Sequence, residues 1–303
     1  MVRPAAFDYN PQTADSNRLQ RPPAGGEAAA PHSGTAAAAL AEFDAAVAAL
    51  RGAGVEVCVV QDSVQPPKPD AVFPNNWVSW HADGTVVLYP MQAANRRLER
   101  RPEILEQVAE RCGYAVRRIL DLSHHEAEGR YLEGTGSLVL DHAARRAYAC
   151  RSPRTDEGLV RRWAALLDYE PVVFDACDAQ GAPYYHTNVL LSIGARAVVA
   201  AAEVIDPHDR ARVLASLAAG GREIIEIGAA ALAGFAGNVL ELAVRRPDRT
   251  GRVVALSAQA RRALGAAYAR LEACTDATVV VPLPTIERLG GGSMRCMLAE
   301  VFV

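Results

Sequence analysis

The sequence predicts a mixed α/β fold in which five similar units close into a ring. Three observations predict it. Helical stretches begin near residues 35, 102, 156, 207 and 257, and each is followed by a strand and then, in all but the last, by two strand-like runs across a polar turn. Those hairpins argue against an open parallel sheet of βαβ units, whose strands need long crossovers rather than tight turns. Finally, the chain ends on an apolar run that lacks a hairpin partner, and the N-terminal stretch Arg3-Pro4-Ala5-Ala6-Phe7 can supply one. Joining the ends in this way removes exposed edges.

Taken in order, residues 3–7 read as a short edge strand. Residues 10–35 are rich in Pro, Gly, Ala and Asn and read as irregular. The Ala-rich stretch 35–51 reads as a helix capped by Ser33 or Thr35 and stopped at Gly52 and Gly54. Residues 55–60 form a strand, and 76–89 a hairpin turning at Asp83-Gly84. The helix 102–111 starts on a proline, which suits a first turn, and leads to the strand 114–120 and the hairpin 137–141 with 146–150. Residues 156–167, 171–174, and 187–193 with 196–200 repeat that order. So do 207–218, 222–227, and 238–244 with 252–256. Residues 257–271 make the fifth helix, 278–281 its strand and 296–302 the last strand.

Composition excludes several classes. At 303 residues with half of them hydrophobic and a net charge of −3, the chain can bury a sizeable core in one domain spanning 1–303 and has no basic block to attract nucleic acid. No apolar stretch is long enough to span a membrane, and Met1-Val2-Arg3-Pro4 does not lead into a signal-peptide core. The six cysteines lie far apart without CxxC pairs, which points to free thiols in a reducing cytoplasm. A small-molecule substrate is the partner expected. Nucleic acid and membrane are not, and homo-oligomerisation is left open.

The candidate chemistry sits where each hairpin begins, because in a closed ring those points face one another. They carry Asp70 with Asn75-Asn76, Glu133 in Glu-Gly-Thr-Gly, His186 in Tyr-His-Thr-Asn, Asn238 in Phe-Ala-Gly-Asn, and Cys296 after Gly290-Gly291-Gly292. A Cys, a His and a Glu that meet in space supply a nucleophile, a base and an orienting acid. Taken singly, each has a plain structural role: a buried cysteine, a satisfied histidine, a turn residue. Arg96-Arg97 and Arg154 follow the first two hairpins and suit two-pronged binding of a carboxylate. His124-His125-Glu126 and Asp206-Pro207-His208-Asp209 lack the spacing of a metal site and read as turn and cap residues. There is no GxGxxG and no Walker sequence.

As a set, Phe73-Pro74-Asn75-Asn76-Trp77, Asn95-Arg96-Arg97-Leu98-Glu99-Arg100-Arg101, Glu133-Gly134-Thr135-Gly136-Ser137, Tyr185-His186-Thr187-Asn188, Phe235-Ala236-Gly237-Asn238 and Gly290-Gly291-Gly292-Ser293-Met294-Arg295-Cys296-Met297 resemble the citrulline hydrolase (citrulline-utilisation) branch of the guanidine-modifying enzymes. That superfamily holds arginine deiminase, dimethylarginine dimethylaminohydrolase, agmatine deiminase and the amidinotransferases. The resemblance runs nearly end to end and implies a five-bladed pentein α/β propeller.

By position it implies Cys296 as nucleophile, His186 as general acid/base and Glu133 as the carboxylate that orients the substrate. It also implies Asp70 at the reacting nitrogen end, and Arg96 or Arg97 together with Arg154 on the substrate α-carboxylate. Covalent catalysis of this kind requires no metal or other cofactor. Where dimethylarginine hydrolases carry Glu-Asp, this chain has Asn75-Asn76. Neutral amides suit an uncharged ureido group, so citrulline is the expected substrate, with ornithine, ammonia and carbon dioxide as products. The alternatives are a deiminase or dimethylaminohydrolase acting on a cationic guanidino substrate, an amidinotransferase, or a catalytically silent binding propeller.

Overall fold

The computed structural model describes residues 1–23, 34–245 and 250–302. Four three-stranded sheets share one build. In the first, β3 (Val78–Trp80) and β4 (Thr85–Leu88) form a hairpin, the helix Pro102–Cys112 crosses over, and β5 (Arg118–Asp121) returns parallel to β4. The second repeats it with β6 (Val139–Asp141), β7 (Arg146–Cys150), the helix Glu157–Leu167 and β8 (Glu170–Phe174). The third uses β9 (Leu191–Ile193), β10 (Ala197–Ala200), the helix Pro207–Ala218 and β11 (Glu223–Glu226). The fourth uses β12 (Leu240–Arg245), β13 (Thr250–Ser257), two short helices and β14 (Ala277–Val281).

The elements form for local reasons. Asp156 caps the helix Glu157–Leu167 by accepting from the Leu159 amide, and Asp206 caps Pro207–Ala218 by accepting from His208. The first of these helices buries Leu159, Val160, Trp163, Ala164 and Leu167, a spacing that puts one stripe on the sheet. Each such aliphatic side chain contributes about 1.5–3 kcal/mol when taken from water. Each apolar cluster joins neighbouring units: Val87 and Tyr89 of the first sheet, for example, lie with Leu138, Ala147 and Trp163 of the second.

Four expectations are corrected. The helix at 257–271 is two helices, Ala258–Leu264 and Ala267–Ala273, because Gly265 takes a positive φ between them. The strand at 55–60 shrinks to β2 (Val60–Gln61), since the carbonyls of Val57 and Val59 are taken by Arg51 and Arg111 side chains rather than by a ladder. The N-terminal strand is β1 (Val2–Arg3), and it pairs in parallel with β2, not with the end of the chain. Pro4 has no N–H with which to extend that ladder. At the C-terminus, Met294–Met297 is a 3₁₀ turn and not the start of a strand. Beyond it, Ala299 and Val301 pack on the cluster that contains Val2 and Val60. The capping position Ser33 lies outside the described residues. The helix Pro284–Gly290 is an addition that the sequence reading did not contain.

Candidate active site

Each of the four three-stranded sheets is entered through a short turn, and these turns come together with a fifth near the C-terminus. They are Pro74–Asn76, Gly134–Ser137, Thr187–Val189, the turn ending at Asn238, and Met294–Met297. Hydrogen bonds run from one to the next in chain order. Thr135 Oγ1 donates to the Asn75 carbonyl at 3.4 Å, Asn188 Nδ2 to Thr135 O at 3.1 Å, and Asn238 Nδ2 to Asn188 O at 3.1 Å. Asn238 Nδ2 also lies 3.3 Å from Cys296 Sγ. Gly292 closes the series against the Phe73 ring, where a Cβ would stand only 2.9 Å away. Two glycines in these turns are required by close approach. Gly134 has a positive φ and faces the Asn75 carbonyl. Gly136 faces the Asn76 amide nitrogen, and a Cβ there would meet His186 Nδ1 at 2.7 Å.

The expected triad residues are brought together. His186 Nε2 is 2.8 Å from Glu133 Oε2, and both side chains are almost fully buried. Burial works against the charge of Glu133, but Arg154, the His186 hydrogen bond and Arg96 outweigh it and hold the carboxyl well below its usual range. Burial lowers His186 to about 4 despite Glu133, so the imidazole is neutral near pH 7. With Glu133 ionised, Nε2 carries the proton and Nδ1 is the free acceptor. Burial also pushes the Cys296 thiol up, partly offset by the Ser293 backbone and Asn238 hydrogen bonds. Without a ligand, the Cys296 thiol and the His186 imidazole are thus both uncharged near pH 7.

Asp70 is buried beside them. Its Oδ2 accepts from Asn10 Nδ2 at 2.7 Å and lies 3.7 Å from Arg96 Nε, while Oδ1 has no hydrogen-bond partner. Asn76 Nδ2, both side-chain polar atoms of Asn75, and Asn188 Oδ1 are also buried without partners. Orphaned groups of this kind each carry a desolvation cost unless a ligand or water meets them. Arg154 Nη1 approaches Glu133 Oε2 at 3.4 Å, and its Nε and Nη2 donate to Ser16 Oγ and Thr13 O at 2.8–2.9 Å. Arg96 lies inside the site. Arg97 does not: it donates to the carbonyls of Met91 and Gln92 and pairs with Glu126. Asn238 touches the sulfur of Cys296 and not the cavity.

The cavity bounded by Thr13, Asn17, Asp70, Asn76, Arg96, Arg154, Tyr185, His186 and Cys296 holds only about 20 Å³, room for one water. Thr13 and Asn17, from the segment read as irregular, line it, and a ligand larger than water fits only if the lining gives way. Sequence reasoning missed their part and that of Asn188. The available signal was Asn10-Pro11, where Asn10 caps a short helical turn whose first residue is proline. A larger cavity of about 620 Å³ lies between residues 55–60 and the C-terminal segment, away from Cys296, His186 and Glu133. Among the described residues, no group of three or more His, Cys, Asp or Glu is placed to hold a metal ion, and no helix is long and apolar enough to cross a membrane.

The chain matches the family described as N,N dimethylarginine dimethylhydrolase, eukaryotic, over residues 3–303. It belongs to that family. This places it in the pentein, or amidinotransferase, superfamily. No curated protein matches the chain by sequence. Among solved structures it is similar to a substrate-bound mutant of the N-terminal domain of ArgZ, an arginine dihydrolase from the ornithine–ammonia cycle in cyanobacteria. The TM-score is 0.71 at 18% identity, covering 100% of this chain and 98% of that one. Against the whole of apo ArgZ the TM-score is 0.69 at 18% identity, and the match covers 99% of this chain but only 40% of that one. A dimethylarginine dimethylaminohydrolase mutant carrying an S-methyl-L-thiocitrulline adduct matches with a TM-score of 0.60 at 19% identity, over 98% and 96% of the two chains. At such identities the likeness is one of fold.

Proposed function

We propose that the protein hydrolyses the guanidino C–N bond of a small amino acid through a covalent Cys296 intermediate. One observation carries this reading. Three buried carboxylates, Asp70, Glu99 and Glu133, face two buried guanidiniums, Arg96 and Arg154, an excess of one negative charge when all are ionised; the buried Arg295 beside Cys296 is offset by Glu300. Of these, Asp70 keeps an unpartnered oxygen. A guanidinium beside Asp70 and Glu133 removes the imbalance, whereas a neutral ureido group leaves it. The family match and the fold neighbours support the guanidino reading over the citrulline expectation drawn from Asn75-Asn76.

In the proposed reaction a bound guanidinium stabilises the adjacent thiolate, and His186 Nδ1 takes the thiol proton. Cys296 Sγ bonds to the guanidinium carbon, the bond from that carbon to the leaving amine breaks, and His186 gives the amine its proton. Water then attacks the resulting thiouronium carbon, His186 accepts its proton, and the C–S bond breaks to release a ureido product and regenerate the thiol. Glu133 keeps the imidazole in the required tautomer. Arg154 is the carboxylate-binding group: its Nη1 stays on Glu133 Oε2 at 3.4 Å, while Nε and Nη2 face only the neutral Ser16 Oγ and Thr13 O, which a substrate carboxylate can replace as a two-pronged partner.

A second reading, citrulline hydrolysis, is favoured by the free Asn76 Nδ2, a donor that suits a ureido oxygen. We further propose that the five units form one catalytic domain over 1–303 built as a five-bladed propeller, a reading supported by four sheets of one build and the series of hydrogen bonds between central turns. A reducing cytoplasmic setting is supported by six cysteines, none of them in a disulfide. The test is amine and ammonia release from L-arginine, dimethylarginine, citrulline and agmatine. Turnover of a guanidino compound is expected, abolished by Cys296→Ser with binding retained. Turnover of citrulline alone, or near-normal activity of Cys296→Ser, refutes the proposal.

A further inference from the structure

The resemblance gives Arg96 or Arg97 to the substrate carboxylate, but the donors of Arg96 are already committed. Nε and Nη2 each bond one oxygen of Glu99 at 2.9 Å, Nη2 also reaches Phe73 O at 3.2 Å, and Nη1 donates to Asn76 Oδ1 at 2.8 Å. A guanidinium has five N–H donors, so one is left, on Nη1. A two-pronged grip on a carboxylate needs two parallel N–H groups. Freeing a second one means breaking the Glu99 pair, whose two side chains are 3% and 1% exposed, and leaving a charge buried and unmatched.

What this arrangement does fix is the Asn76 amide. The two ends of an amide have nearly the same shape, and only hydrogen bonding decides which one faces a site. With Oδ1 tied to Arg96, the amino end must face the other way, where Nδ2 is buried without a partner and lies against the Gly136 position that His186 Nδ1 also approaches. An N–H donor there is poorly matched to a guanidinium, which offers only donors, but well matched to an oxygen. That oxygen arrives at the reacting carbon with the attacking water.

We infer that Arg96, braced by Glu99, is a positioning residue that orients the Asn76 amino group toward the oxygen delivered by water, and that it does not recognise the substrate carboxylate. This rests on the guanidino-hydrolase reading above. It assigns Arg96 to the hydrolytic half of the reaction and leaves Arg154 as the carboxylate-binding guanidinium.

The test is a double-mutant cycle on the full chain, with the guanidino compound that the wild type turns over fastest. Arg96→Lys is expected to lower kcat about 10²-fold, as misplacement of a reacting group does, with KM within about threefold. Asn76→Ala should do the same, and the double variant should be no slower than Asn76→Ala alone. Both single variants should accumulate the covalent Cys296 adduct on mixing, read by intact-protein mass. Glu99→Gln, which keeps one oxygen on Arg96, guards against misfolding of the lysine variant and should show a smaller loss in kcat alone. A rise in KM with kcat unchanged, or losses that multiply in the double variant, overturns the inference. A wild type inactive on every guanidino compound defeats the underlying reading instead.

Discussion

Replacing Asp70 by Asn removes one negative charge while keeping the shape of the side chain and an oxygen to accept from Asn10. The buried groups then sum to zero instead of −1 (Asp70, Glu99 and Glu133 against Arg96 and Arg154, less the one carboxylate). A hydrogen bond to a charged partner contributes about 1.5–3 kcal/mol, or roughly 10- to 150-fold in kcat/KM. The lower half of that range applies, because Asp70 already shares its charge with Arg96 at 3.7 Å and Asn10 at 2.7 Å. The expected result is a loss of about 10- to 40-fold on L-arginine with little change on citrulline. The assay is ammonia release with the two substrates side by side, reported as the ratio of their kcat/KM values. pH supplies an internal check. Burial raises the Asp70 carboxyl against the pull of Arg96, so acid neutralises it early. The arginine KM of the wild type should therefore rise as pH falls, and that of Asp70→Asn should be flatter. A ratio unchanged by the substitution, or a wild type that prefers citrulline, would refute the charge argument.

Two further outcomes follow from the same geometry. Gly136→Ala forces the Asn76 amide and the His186 ring apart, so stability should fall by about 1–3 kcal/mol and kcat by about 10²-fold. Normal turnover would show that neither group is held against that glycine. His186 has a folded pKa of about 4 against an ordinary 6.5. Between those values the unfolded chain binds a proton that the folded one refuses, so stability rises with pH across that window, by on the order of 3 kcal/mol in total. Urea unfolding of the wild type and of His186→Gln between pH 4.5 and 7 should show this slope reduced in the variant; parallel curves would mean the imidazole is not buried neutral.

The repeat was legible because its signals are local. A proline at the first turn of a helix, an Asp-Gly turn and alternating apolar runs fixed the order of elements at 76–89, 102–111 and 207–218 close to where they stand. The ends were not legible, because pairing there depends on partners far away in the chain: β1 is held to two residues by Pro4 and joins β2, while arginine side chains take the carbonyls that would have lengthened β2. The meeting of Cys296, His186 and Glu133 could be read because each stands at the same place in its unit. Thr13 and Asn17 could not, since no repeat marks them and they reach the site from a segment outside the repeated units.

The ligand charge that the pocket favours in the proposed function does not follow from the Asn75-Asn76 motif, and the reason is physical. Asn75-Asn76 looked like a neutral substitute for two carboxylates, an inference from two residues at one end of the site. Asn76 Oδ1, however, is spent on Arg96, and Arg96 is spent on Glu99. In the guanidino reading, the proposed preference for a cation rests on the sum over Asp70, Glu99, Glu133, Arg96 and Arg154, of which Glu99 and Arg96 neutralise each other within one turn of chain. What remains is Asp70 and Glu133 against Arg154 alone. A pair of amides shapes the pocket and supplies donors, but the surplus carboxylate decides which ligand charge it tolerates.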